Sequence, residues 1–78
     1  MFKSTQEFDS AVKTVLLKIR DGEDLSSFPS DDDSLEAIAE SIDRRFLQGV
    51  SYERDSNGKP HFQKINPRLT YNGLKFIE

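Results

Sequence analysis

The chain has no cysteine, no tryptophan and one histidine, and each scarcity narrows what it can do. Without thiols there are no disulfides and no thiolate metal sites, which suits a reducing compartment, so a cytoplasmic protein is expected. With His61 as its single histidine, any imidazole-based acid–base or nucleophilic scheme would have to run through that residue. Its place one residue after Pro60, on an expected hairpin, suits a structural or exposed side chain better. The four glycines form no phosphate-cradling loop. No apolar run is longer than Val15-Leu16-Leu17, far short of the ~20 residues that span a bilayer. Residues Met1 to Glu7 lack the charged, apolar and small regions of a secretory signal, and none is expected. We therefore expect no enzyme, no catalytic residue, no metal, no cofactor, no small-molecule substrate and no membrane association.

What is present is enough for one small folded domain over residues 1–78. A chain of this length buries roughly 60–65% of its unfolded surface, so its core must be thin. The apolar fraction is only 35%, but those residues fall in periodic stripes, which argues for folding rather than disorder.

The net charge of −3 conceals a division. Residues 1–43 hold four basic against eleven acidic side chains, and residues 44–78 hold seven basic against three acidic. Such opposition fits a two-sided surface or head-to-tail self-association, and equally fits ordinary solvated faces.

Phe8, Val12, Val15, Leu16 and Ile19 recur at helical spacing, with Ser4 or Thr5 as cap and Asp21-Gly22 as stop. Between Glu23 and Ser30 the pattern weakens to a short turn or an ordered loop around Leu25 and Phe28. A second helix, capped by one of Ser30 to Asp33, should bury Leu35, Ile38, Ala39, Ile42 and Phe46. Glu36, Glu40, Asp43 and Arg44 fall on its other side, and Gly49 marks where it has ended.

The period then changes to that of a hairpin, Val50–Arg54 and Pro60–Ile65 around Asp55-Ser56-Asn57-Gly58-Lys59. A two-residue Asn57-Gly58 turn would set Tyr52 against Gln63. A three-residue Ser56-Asn57-Gly58 loop sets Tyr52 against Phe62, and it is preferred because one coherent apolar face results. Thr70 can cap a final short helix, with Leu69 and Leu74 at the positions of a hydrophobic staple. Gly73 inside so short a helix suggests close approach of another backbone.

The order helix, short turn, helix, two-stranded β-hairpin wing and short C-terminal helix is that of an α+β winged helix. Pro60-His61-Phe62-Gln63-Lys64-Ile65, followed by Leu69-Thr70 and Gly73, resembles the closing segment of the YjcQ family of small proteins. In that family a Pro-His-aromatic strand leads into a Leu-Thr-x-x-Gly helix, and Tyr52 fits the preceding strand. The resemblance covers residues 46–78 well, Asp32 to Arg45 less closely, and before that only the order of elements. It implies a winged-helix fold of the kind found in Gram-positive bacteria and their phages or prophages, and it brings no activity with it. The chain departs from the family in stopping within the terminal helix and in a degenerate helix-two region.

For such an architecture double-stranded DNA is the default partner, with the second helix of the turn unit in the major groove and the wing on the backbone. Residues 31–43 carry six carboxylates and no cation, which repels phosphate. Contact would have to come from Arg44, Arg45, Arg54, Lys59, Lys64 and Arg68, with Arg54 and Lys59 leading from the wing. The rival expectation is a protein-interaction module docking onto another protein or a second copy of itself. Phe2, Phe28, Tyr71 and Phe76 have no clear place in the core and are candidates for a contact patch or for satellite packing. The run Asp31-Asp32-Asp33 reads as a helix cap rather than a metal site, because consecutive carboxylates diverge and the alternate spacing of a calcium loop is missing.

Overall fold

The computed structural model describes residues 2–23 and 31–78, with Lys64 and Ile65 described at the backbone only. The expected turn around Leu25 and Phe28 lies outside the described residues. The protein is α+β, and its described elements run α1 (Thr5–Arg20), α2 (Asp32–Asp43), β1 (Leu47–Arg54), β2 (Pro60–Leu69) and α3 (Tyr71–Ile77).

Helix α1 begins where Ser4 leaves the extended region and its side-chain oxygen accepts from the Glu7 amide at 3.1 Å. That bond satisfies one of the amides that a helix start leaves without a partner. The helix closes with the Glu23 amide reaching back to the Lys18 carbonyl, the long bond of a glycine-type C-cap. Its stripe Val12, Val15, Leu16 and Ile19 is buried. Asp31 caps α2 and binds Ser34 twice, at the amide (3.1 Å) and the hydroxyl (2.8 Å). Those bonds hold the Asp31 carboxyl below its ordinary range.

Helix α2 is shorter than its apolar pattern implied. It ends at Asp43, and Arg45 takes a left-handed conformation (φ 61°) while the Phe46 amide bonds the Ser41 carbonyl. A C-cap of that shape normally carries glycine. Here it turns the chain so that Phe46 leaves the helix and stacks on Phe76, with ring centroids 4.7 Å apart. Leu35, expected in the core, is half-buried, and the small residues Ala37 and Ser41 are buried instead. The Ser41 hydroxyl donates to the Ala37 carbonyl at 2.8 Å, so its burial leaves no orphaned polar group.

Gly49 is not a helix stop. It lies within β1 at an irregularity of the antiparallel pairing, where the register slips between Gln48 and Val50. Its φ is 77°, and a Cβ there would overlap the Asn66 carbonyl. A glycine is needed at this bulge on both counts. Beyond it the strands run in the preferred register, Tyr52 opposite Phe62, with the rings 5.9 Å apart. The turn is the three-residue one, with Gly58 at φ 81° and its amide bonded to the Asp55 carbonyl.

Helix α3 is seated by a compact set of bonds. The Thr70 amide bonds the Phe46 carbonyl (2.9 Å), its hydroxyl donates to the Arg45 carbonyl (2.6 Å), and the same oxygen accepts from the Gly73 amide (3.1 Å). Gly73 lies so close to the Phe46 carbonyl that a Cβ would overlap it, the close approach that a mid-helix glycine implied. The Leu69–Leu74 staple does not form as a buried contact, because this docking turns Leu74 outward, 43% exposed. The buried core collects Val12, Val15, Leu16, Ile19, Ala37, Ile38, Leu47 and Ile77, with Phe8, Phe46, Phe62 and Leu69 among the side chains at its edge.

Thr70→Ala removes the cap and the link to Arg45 together and should destabilise the fold by about 1–2 kcal/mol in chemical denaturation, with Thr70→Ser close to wild type. Arg45→Gly should act the other way. Relief of the left-handed strain exceeds the added unfolded-chain entropy, a net gain of about 0.5 kcal/mol that thermal melts can read.

Candidate interaction surfaces

Three of the five carboxylates of α2, Glu36, Glu40 and Asp43, follow a helical stripe, and each of these is engaged. Glu36 takes both guanidinium nitrogens of Arg54, at 2.8 and 3.1 Å. Asp43 accepts the Tyr52 hydroxyl at 2.8 Å, which pushes the Tyr52 pKa up because ionising the phenol would forfeit that bond. Glu40 accepts from Arg44 Nε at 2.6 Å, and Arg44 also reaches Asp9 of α1 at 3.0 Å. The stripe therefore joins α2 to the hairpin at two points and to α1 at a third.

These pairs decide where the cations expected to meet phosphate stand. Arg44 is half-buried between Glu40 and Asp9, whose charges hold its guanidinium protonated even more firmly than usual. Arg54 is exposed on the Tyr52 side of the hairpin, bonded to Glu36 and to the Gly58 carbonyl (2.9 Å), and lies 5.5 Å from the Tyr52 ring centroid. Lys59 is exposed in the turn. Arg68 is exposed and stands opposite Gln48 at the far end of β2, nine residues from Lys59 or on the order of 30 Å along the strand. Arg45 is exposed beside Thr70. The side chain of Lys64 lies outside the described residues. The other five are thus divided between the seam (Arg44, Arg54), the hairpin turn (Lys59) and the hairpin base (Arg45, Arg68).

His61 serves the turn. Its Nε2 is 2.8 Å from Asp55, whose other oxygen accepts the Asn57 and Lys59 amides. The histidine first, then these amides, hold the Asp55 carboxyl low. Among the described residues, no three His, Cys, Asp or Glu side chains gather as metal ligands, and no helix is long and apolar enough to cross a membrane.

Two surface features were not legible in advance. A cleft of about 540 Å³ opens between the hairpin turn and the first turns of α1 and α2. Its apolar lining is Phe2, Phe8 and Pro60, the two phenyl rings stacked at 4.4 Å. Asp32, Asp33 and Glu36 stand around it, with Lys59 at the turn. The second feature is on α3, where Tyr71 (77% exposed) and Leu74 (43%) are the exposed large hydrophobic residues among those described. They are one helical turn apart. Only their assignment outside the core could have been read from sequence, and for Leu74 the staple pattern pointed the other way.

Comparison with protein-family models, curated proteins and solved structures found no match.

Glu36→Gln tests the seam. Its carboxylate is held below the ordinary 4.5 by Arg54, so the pair stabilises the fold above that pH and the contribution fades as acid protonates Glu36. At neutral pH the variant should melt about 2–4 °C lower, the scale of a solvent-accessible pair in a domain this small. The gap from wild type should close as the pH is taken well below 4.

Proposed function

We propose that this chain is a non-catalytic, winged-helix-like module that docks onto protein, and that DNA is not its partner. The order of elements, the Tyr52–Phe62 hairpin and the Thr-capped last helix support the winged-helix reading, in keeping with the YjcQ resemblance of residues 46–78.

The observation that carries the choice of partner is the two-pronged Arg54–Glu36 pair. A wing that reads DNA needs its cations turned toward phosphate, and its neighbouring helix must tolerate that approach. Here the cation expected to lead is bonded to the helix, Arg44 is bonded within the chain as well, and α2 begins with Asp31, Asp32 and Asp33. Bringing Arg54 to phosphate would leave Glu36 unpaired next to the DNA, so the exchange gains little. Exposed Lys59 and Arg68 stand too far apart along the hairpin to form one phosphate track with the wing.

Titration of a fluorescent generic duplex, followed by anisotropy at low and moderate salt, tests the reading. We expect no saturable binding up to about 100 μM at moderate salt, the weak end of non-specific DNA association. Micromolar binding that weakens steeply with salt, with a slope reduced in an Arg54→Ala, Lys59→Ala variant, would overturn it and restore wing-led DNA contact.

A further inference from the structure

The chain carries the pair Asn-Gly twice, at Asn57-Gly58 in the hairpin turn and at Asn72-Gly73 in α3. An asparagine followed by glycine has a reaction open to it that needs no enzyme, because no side chain hinders the next backbone nitrogen. That nitrogen attacks the asparagine Cγ, so that an N–Cγ bond forms and the Cγ–Nδ2 bond breaks. The backbone amide proton leaves with Nδ2 as ammonia. Water then opens the cyclic imide at either carbonyl and leaves aspartate or isoaspartate. The remaining asparagine, Asn66, precedes Pro67, whose nitrogen bears no hydrogen and cannot close the ring.

Asn57 and Asn72 are both exposed, so access to water does not separate them. Their glycines do. The ring closes only when the glycine nitrogen gives up its hydrogen bond and the backbone rotates to bring it against Cγ. Gly73 is buried, its amide bonded to the Thr70 hydroxyl at 3.1 Å, with the Phe46 carbonyl so near that a Cβ would overlap it. Rotation there requires α3 to leave its seat. The Gly58 amide is also bonded, to the Asp55 carbonyl at 2.9 Å, but the space around it is open and a Cβ would meet nothing within 4 Å. The Asn57 amide is held by the Asp55 carboxylate at 2.8 Å, again from within the turn. An exposed turn opens locally at little cost, whereas a docked helix opens only together with what it packs on. We propose that Asn57 is a site of spontaneous deamidation in the folded protein, and that the docking of α3 protects Asn72. The product places a new carboxylate at the edge of the cleft that Asn57 and Lys59 both line. In its isoaspartate form it also lengthens the backbone of the turn by one methylene. The hairpin turn therefore gains negative charge as the protein ages.

Peptide mapping by mass spectrometry tests this, after incubation at mildly alkaline pH with and without urea. In urea the two asparagines should convert at comparable rates. In the folded protein Asn57 should convert at least about tenfold faster than Asn72, the mark of local rather than global opening. Asn57→Gln should remove the main acidic species that ion exchange resolves in aged wild-type protein. Thr70→Ala, in protein that keeps its circular dichroism spectrum, should speed conversion at Asn72 and leave Asn57 unchanged. Equal rates at the two sites in the folded protein overturn the proposal. So does an Asn57 that stays intact over a time in which the urea-treated chain converts. A folded Thr70→Ala variant that speeds both sites alike would place the reaction in the unfolded chain, and that overturns it too.

Discussion

Most of the arrangement depends on how α2 is fastened to the hairpin. A two-stranded hairpin has little stability of its own in water and needs something to lie against. In this protein its inner face meets the core through Val50 and Phe62, and its polar side is tied down by Arg54 on Glu36 and Tyr52 on Asp43. Glu40, between those two acids on the same helical stripe, fixes Arg44 and through it Asp9 of α1. Each pair is partly exposed and individually weak, but together they hold hairpin, second helix and first helix in one orientation. In a domain too small for a thick core, such a seam supplies positional definition that apolar burial alone would leave loose.

The same fastening bears on partner choice. A charge census treats Arg44 and Arg54 as available cations and α2 as a repelling surface. Once they are paired, two of the six carboxylates of residues 31–43, Glu36 and Glu40, are neutralised internally, and so are two of the six cations. Of the other cations, Arg45, Arg68 and Lys75 are exposed near the hairpin base and α3, and Lys59 is exposed at the hairpin turn.

Local chemistry made a good part of the fold legible in the sequence. The cap at Thr70 could be read outright, and those at Ser4 and Asp31 to within Ser4–Thr5 and Ser30–Asp33, because each is a short polar side chain ahead of a periodic stripe. The hairpin register could be read because only one of two turns sets Tyr52 against Phe62. The end of α2 could not. Its apolar spacing runs on to Phe46, and nothing in Arg44-Arg45 announces a left-handed residue, since arginine is a poor candidate for that conformation. With the helix read too long, Gly49 took the role of its stop, although its work is at a bulge against Asn66. The seam was hidden for a different reason. Glu36 and Arg54 are eighteen residues apart, and no local pattern tells an exposed acid from one that a folded-back strand will meet. Of the candidate sites, the residue types were visible and their distribution over three separate regions was not.

The orientation of α3 links fold to surface. Gly73 must face the Phe46 carbonyl, because any side chain there would collide with it. That requirement sets the rotation of the whole helix and sends positions 71, 74 and 75 outward, whatever residues occupy them. Folding therefore explains why these positions are exposed but not why two of them are tyrosine and leucine. In a chain with 35% apolar residues and a core of eight, a leucine kept outside is stability forgone, and a polar residue would serve the helix as well. A single exposed leucine is ordinary, but this one stands a turn away from the most exposed of the large apolar side chains among those described, on an end of the molecule that carries cations. That pairing is what a contact surface requires.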